Sequence, residues 1–171
     1  MTSDRLVTLY GRVLFYAGPV LLVGVLLADR RWLGQAPDLA MLVAAGIVLR
    51  GLQIPVSKYS YLTQIGLVVV AGSLLVGLPA AVLAVGVSTA IVDSAWLRKT
   101  PRAAAVNAAR EVIAAVAAYG VYAEVIRLSH AAPGIHVETM PALFAYGLSY
   151  FVCSRLLFYF ALIIRTKLEP G

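Results

Sequence analysis

Three polar residues stand together in an otherwise apolar stretch. Asn107, Arg110 and Glu111 lie in the first third of AAAVNAAREVIAAVAAYGVYAEVIRL, residues 103–128, and Asn107 is the only asparagine in the chain. On a helix, Asn107 shares a face with Arg110 at i+3 and with Glu111 at i+4. An amide, a guanidinium and a carboxylate on one face can hydrogen-bond a ligand or hold neighbouring helices together, and both readings are open. Asp93 is a candidate to join them, either paired with Arg98 or drawn inward to Arg110 with Asn107 bridging. Ser154 and Arg155 on the last apolar stretch complete the set. The expected ligand-binding or polar cluster is therefore Asp93, Asn107, Arg110, Glu111, Ser154 and Arg155. Depth suggests its central pair. Glu111 lies roughly 12 Å along its helix and Arg155 roughly 15 Å from the same end of an antiparallel one, so Glu111 is expected to pair with Arg155.

Other chemistry is sparse. His130, His136, Glu124 and Glu138 fall near one another in sequence, but their spacing matches no familiar metal pattern, and they read as solvated loop residues. The chain has no HExxH, no CxxC, no phosphate-cradling glycine loop and no serine–histidine–aspartate set in one layer. The histidines and the polar cluster are expected at opposite ends of the bundle. The expectation is a protein that is not an enzyme and carries no cofactor and no metal. Cys153 is the single cysteine, so no intramolecular disulfide framework exists.

The elements that position these residues are helices. Of the 171 residues, 61% are hydrophobic and only 13% charged, where a soluble domain has about a quarter charged. Mean hydropathy is +0.90. The expected fold class is an all-α, polytopic membrane protein, a bundle of six transmembrane helices over 6–28, 38–50 or 53, 62–76, 79–97, 103–128 and 139–165. Gly18 and Pro19 are expected to kink the first. The segment IPVSKYSYLT, between helices 2 and 3, is expected to be non-helical and to pack on the bundle. Its Pro55 and its β-branched and aromatic residues argue against a helix. Tyr59 and Tyr61 read as interfacial anchors. Ala80, Ala84 and Ser88 form a small-residue stripe that lets a neighbouring backbone approach. The aromatics of helix 6 read as lipid-facing or packing residues, and Cys153 as a buried small residue. Residues 1–168 form one bundle domain, and 169–171 the start of a cytoplasmic tail or linker.

The net charge of +6 does not form one patch, so no nucleic-acid partner is expected; the basic residues flank the apolar segments. Six spans put both termini on one side. Nine Lys and Arg then lie on that side and three on the other, which favours cytoplasmic termini in a bacterial inner membrane.

Several short motifs carry a resemblance. Ile54 and Pro55 before SKYSYLT, LVGLPAA at 75–81, Asp93, VNAAR at 106–110 and YFVCS at 150–154 occur in this order. Over about residues 40–160 the chain resembles the MASE9-type membrane-associated sensor domains of bacteria. It matches in turn their Pro- and Ser-containing lead to the third helix, LLLGPxxA turn, helix-ending Asp, F-N-x-A-Q and Y-F-x-x-N. Where those have Phe, Gln and Asn, this chain has Val106, Arg110 and Ser154. The resemblance implies an input domain of a kind often fused to HD-GYP or GGDEF domains, which handle cyclic di-GMP. It implies a sensor in the lipid bilayer that binds a small or lipidic ligand, or reports membrane state, to a cytoplasmic partner or fused domain. The layout is also similar to the six-helix substrate-binding components of energy-coupling vitamin transporters. An accessory subunit packing in a larger membrane complex is the third expectation. Topology is testable in a Cys153→Ser background. Ser3→Cys and Thr100→Cys should label from the cytoplasmic side and His136→Cys only from outside. Cytoplasmic labelling at position 136 would contradict the six-span arrangement.

Overall fold

The structure is a computed structural model. It describes residues 3–52, 54–57 and 60–168, with side chains over 5–52, 54 and 63–160. Six α-helices run in order among the described residues: α1 (Ser3–Ala28), α2 (Ala36–Gly51), α3 (Gly66–Leu75), α4 (Leu78–Ile91), α5 (Pro101–Ser129) and α6 (Met140–Leu168). A π turn, Val92–Trp96, continues α4, and short 3-10 turns cover Arg31–Gly34 and Val137–Thr139.

Four segments are long and apolar enough to cross a membrane: Arg5–Ala28, Leu78–Trp96, Pro101–Ser129 and Val137–Phe160. The six expected helices are all present among the described residues, but two of them fall short of this length. Helix α2 has 16 residues and α3 has 10. At about 1.5 Å per residue these reach roughly 24 and 15 Å, short of a hydrocarbon core of about 30 Å. Their brevity has local causes. Between them the chain leaves helix for two antiparallel strands, β1 (Ile54–Ser57) and β2 (Ser60–Leu62), with Ile54 opposite Leu62. The segment is thus non-helical, as Pro55 requires. Its expected packing on the bundle, and the roles of Tyr59 and Tyr61, lie outside the described side chains. The expected tail, 169–171, lies outside the described residues.

Helix α5 is the hub, packing against α6, α4 and α1, while α2 and α3 both pack on α4. The main core gathers Val82 and Val85 of α4, Ala114, Ala115 and Ala118 of α5, and Tyr146 of α6. A second cluster joins Leu42 of α2 to Val68, Ala80 and Ala84. The small-residue stripe is fully buried, with Ala80, Ala84 and Ser88 at most 1% exposed. Its use is visible at Gly46, where a Cβ would stand 2.5 Å from Ser88 Oγ. Large apolar residues are left outside at helical spacing on α1: Leu9, Val13, Tyr16, Val20, Val23 and Leu27. On α6, Phe144, Phe151 and Phe160 are also exposed, whereas Tyr146 and Tyr150 are buried. Cys153 is half-buried against the main core.

Helix α1 runs as one α-helical element through Pro19. Gly18 has the tightest surroundings of the described glycines, since a Cβ there would lie 2.3 Å from Ala109 Cβ and 2.5 Å from its Cα. Because the obstacle is backbone, Gly18→Ala should force α1 off α5 and cost about 1–3 kcal/mol. Gly24→Ala meets nothing within 4 Å and should hold or raise stability, since alanine favours helix by up to about 1 kcal/mol. Thermal unfolding of both variants in detergent checks the contrast. Equal losses would contradict the α1–α5 packing.

Candidate functional site

The polar residues meet where the ends of α2 and α4, the beginning of α5 and the later part of α6 converge. Each is delivered by a local feature. Gly46 lets α2 lie against Ser88 of α4, and Arg50, four residues on, continues the same face. On α4 the π turn closes with a hydrogen bond from Leu97 N to Val92 O, and Asp93 sits within it, fully buried. A π turn carries an extra residue per turn, so it re-aims the residues beyond it. Arg98 then takes a left-handed φ of 51°. This ends the helix, and Lys99 N bonds back to Asp93 O at 2.9 Å. Thr100 caps α5, its Oγ1 accepting from Ala103 N at 3.3 Å, with Pro101 in the first helical position.

Arg50 is the centre of the site. Its Nε and Nη2 donate to Asp93 Oδ1 at 3.3 and 3.2 Å, and Nη2 also reaches Oδ2 at 3.3 Å. Its Nη1 donates to Glu111 Oε1 at 3.3 Å. Asp93 Oδ2 accepts further bonds from Lys99 Nζ, at 2.9 Å, and from Asn107 Nδ2. Glu111 Oε2 accepts from Tyr150 Oη at 2.7 Å and from Ser154 Oγ at 3.0 Å. Arg50, Asp93 and Glu111 are 6%, 0% and 3% exposed. One guanidinium and two carboxylates thus tie α2, α4, α5 and α6 together, out of water.

Of the six expected residues, Asp93, Asn107, Glu111 and Ser154 join this network directly. Two pairings differ from expectation. Glu111 pairs with Arg50, not Arg155. The depth of Arg155 is suitable, but its rotation is not. Tyr150 and Ser154, four apart, point at Glu111, and the next residue lies about 100° round the helix. The Arg155 guanidinium instead lies 5.5 Å from the Phe151 ring centroid. Likewise, Asp93 takes its cations from Arg50 and Lys99, not from Arg98 or Arg110. Arg110 is turned away from Asp93 toward α6, with its guanidinium 4.9 Å from the Phe158 centroid. Its Nε is buried with no hydrogen-bond partner among the described residues. Asn107 does reach Asp93, as the bridging amide.

Sequence reasoning misses Arg50, Lys99 and Tyr150. Arg50 has a signal: it ends a helix too short to cross a bilayer, so its charge stops short of the far side.

Next to the network is a cavity of about 290 Å³, whose wall includes Arg50, Lys99, Asn107, Arg110, Glu111, Ser154, Arg155 and Phe158. A second space of about 510 Å³ runs between α1 and the α5–α6 pair, lined by Tyr10, Gly11, Leu14, Val106 and Leu157 among others. Asn107, Arg110 and Phe158 border both. On the groove's wall, Tyr10 Oη donates to Leu157 O at 2.6 Å.

At the opposite end the charges are exposed and local. Asp29 holds Arg31 at 2.6 Å, and the guanidinium's hydrogen bonds bring the Asp29 carboxyl down to about 2. Glu124 accepts from Arg127 Nε at 2.9 Å. His136 caps the turn before α6, and His130 ends α5 in a left-handed conformation. Among the described residues, no group of three or more His, Cys, Asp or Glu is placed to hold a metal ion. No protein-family model matches the chain, and neither the curated proteins nor the solved structures give a match.

Breaking one arm of a buried ion pair costs about 3–5 kcal/mol, because it strands the partner. Arg50→Met should therefore destabilise by about that much, and Glu111→Gln by less, since an amide keeps an acceptor for Tyr150 and Ser154. The double variant should lose less than the sum, with a coupling of about 1–3 kcal/mol. The same cycle on Arg155 and Glu111 should show weaker coupling. Detergent unfolding of the two cycles reads this, and the reverse order would contradict the assigned pairing.

Proposed function

We propose that this chain is a polytopic membrane domain with a sensory, non-enzymatic role, in which occupancy of the cationic cavity changes how α6 is held. The four long apolar helices and the apolar stripes left exposed on α1 and α6 support placement in a bilayer, where such faces meet lipid. The observation that carries the sensory reading is the sharing of α6. Tyr150 and Ser154 bind the Glu111 carboxylate, while Ser154, Arg155 and Phe158 line the cavity. Anything that draws on the cavity's cations competes with Glu111 and Asp93 for them, and the competition is felt by α6, which runs on to Leu168. The motifs that resemble those of membrane-associated sensor domains agree with such an input role. With both termini cytoplasmic, α6 would hand the change to a cytoplasmic partner or fused domain. A ligand shifts such an element only by its differential affinity for two arrangements, so both arrangements have to be populated under some condition.

Spin labels at Ser94→Cys and Leu156→Cys, in a Cys153→Ser background, report the distance between α4 and α6 by double electron–electron resonance. The distribution should change between nanodiscs of a bacterial polar lipid extract and nanodiscs of phosphatidylcholine alone. The Arg110→Gln variant should give one distribution in both. Identical distributions for the unaltered cavity would contradict the sensory role and favour an accessory packing subunit.

A further inference from the structure

We infer that the cavity and its neighbouring groove form a single site for a phosphate-bearing amphiphile. The anionic head would lie against Arg110 and Lys99, and the apolar tail between α1 and α6. This rests on the cavity being a binding site, the reading proposed above.

Charge comes first. Arg50 and Lys99 balance Asp93 and Glu111, each pair within ion-pair distance. Arg110 is then in excess among the described residues, and Arg155 stands on the same wall. A guanidinium stacked on an aromatic face, with its Nε buried and unpartnered among the described residues, is incompletely satisfied, because it has five N–H donors to place. The missing partner is an anion.

The donors decide which anion. The donors still open around one cavity of about 290 Å³ are those of Arg110, the ammonium N–H groups of Lys99 beyond the one given to Asp93, the second amide N–H of Asn107 and the hydroxyl of Thr63, while Ser154 already gives its O–H to Glu111. A carboxylate offers two acceptor oxygens in a plane. A phosphate monoester offers three and carries about −1.5 to −2 charge, matching the greater number and spread of donors. Arginine's fork suits such oxygens, and lysine adds a point charge.

Geometry adds the tail. The Arg110–Phe158 stack is a shared wall, and beyond it lies the groove of Gly11, Leu14, Val106 and Leu157. A Cβ added at Gly11 meets nothing within 4 Å, so open space lies there. The Lys99 ammonium, at 37% exposed, marks the side on which the polar cavity reaches solvent. A polar, cation-rich chamber beside an apolar trough has the form of an amphiphile, whereas a free phosphate would use the chamber alone.

The probes are dodecyl phosphate, inorganic phosphate and dodecyl maltoside, titrated against the full chain in neutral-detergent micelles. Binding is read by native mass spectrometry and by thermal shift. Dodecyl phosphate should bind and raise Tm, and inorganic phosphate should bind at least ten-fold more weakly. Arg110→Gln, which removes no hydrogen bond of the described network, should fold and lose dodecyl phosphate affinity ten-fold or more. Gly11→Leu should fill the groove and weaken dodecyl phosphate while leaving inorganic phosphate unchanged. Equal binding of dodecyl phosphate by the unaltered chain and Arg110→Gln would overturn the site. Inorganic phosphate binding as tightly as the amphiphile, or Gly11→Leu without effect, would overturn the tail. Dodecyl phosphate binding without any change in the α4–α6 distance would leave this site standing and remove the sensory role. A distance change in lipid extract without dodecyl phosphate binding would do the opposite.

Discussion

A guanidinium removed from water has to be surrounded by acceptors, and Arg50 is surrounded by two carboxylates from two different helices. An unpaired charge in that place would cost several kcal/mol, and at membrane depth about 3 kcal/mol or more. The rest of the bundle is arranged so that the charge is never left alone. Asp93 and Glu111 would repel each other without Arg50, and each is further satisfied by neutral donors: Asn107 for Asp93, Tyr150 and Ser154 for Glu111. Every oxygen of the pair has a named partner. A fully satisfied polar network of this kind specifies one arrangement of its helices, because any slip breaks several bonds at once.

The irregular features of the fold serve that centre. The strands after α2 stop it early and leave Arg50 in its last turn. The close approach of Gly46 to Ser88 brings that turn against α4. The π turn and the left-handed Arg98 bend the end of α4 so that Lys99 comes back over Asp93. A left-handed non-glycine residue and a π turn are both costly, and they persist where surrounding contacts hold them. Here the contact is the Asp93 carboxylate. The same bend opens the cavity, since Leu97 and Lys99 form part of its wall.

About half of this centre is legible in the sequence, for physical reasons. Asn107 and Glu111 are legible because helical spacing alone puts them on one face, and a carboxylate in an alanine-rich helix needs a partner. Asp93 is legible as the nearest such group on the preceding helix. Pro55 and its β-branched neighbours give away the break between α2 and α3. Arg50 is hidden because basic residues at helix ends are ordinary, and its role depends on the contact of Gly46 with Ser88, which is tertiary. Lys99 is hidden because no single-sequence signal announces a π turn. Arg155 is misassigned by depth weighed without rotation. Ser154, its neighbour, has the correct azimuth, and one step along a helix changes the azimuth by about 100°.

The most direct test is to observe the central contact in a bilayer. Rotational-echo double-resonance NMR, with ¹⁵N in the arginine side chains and ¹³C in the aspartate carboxylates, detects guanidinium–carboxylate pairs in reconstituted protein. A strong dephasing signal is predicted, consistent with the 3.2 Å between Arg50 Nη2 and Asp93 Oδ1. It should fall in the Arg50→Met variant, with the Asp29–Arg31 pair among the contributions that remain, and persist in the Arg155→Met variant. Dephasing that survives the loss of Arg50 unchanged would contradict the arrangement, as would dephasing that falls with the loss of Arg155 instead.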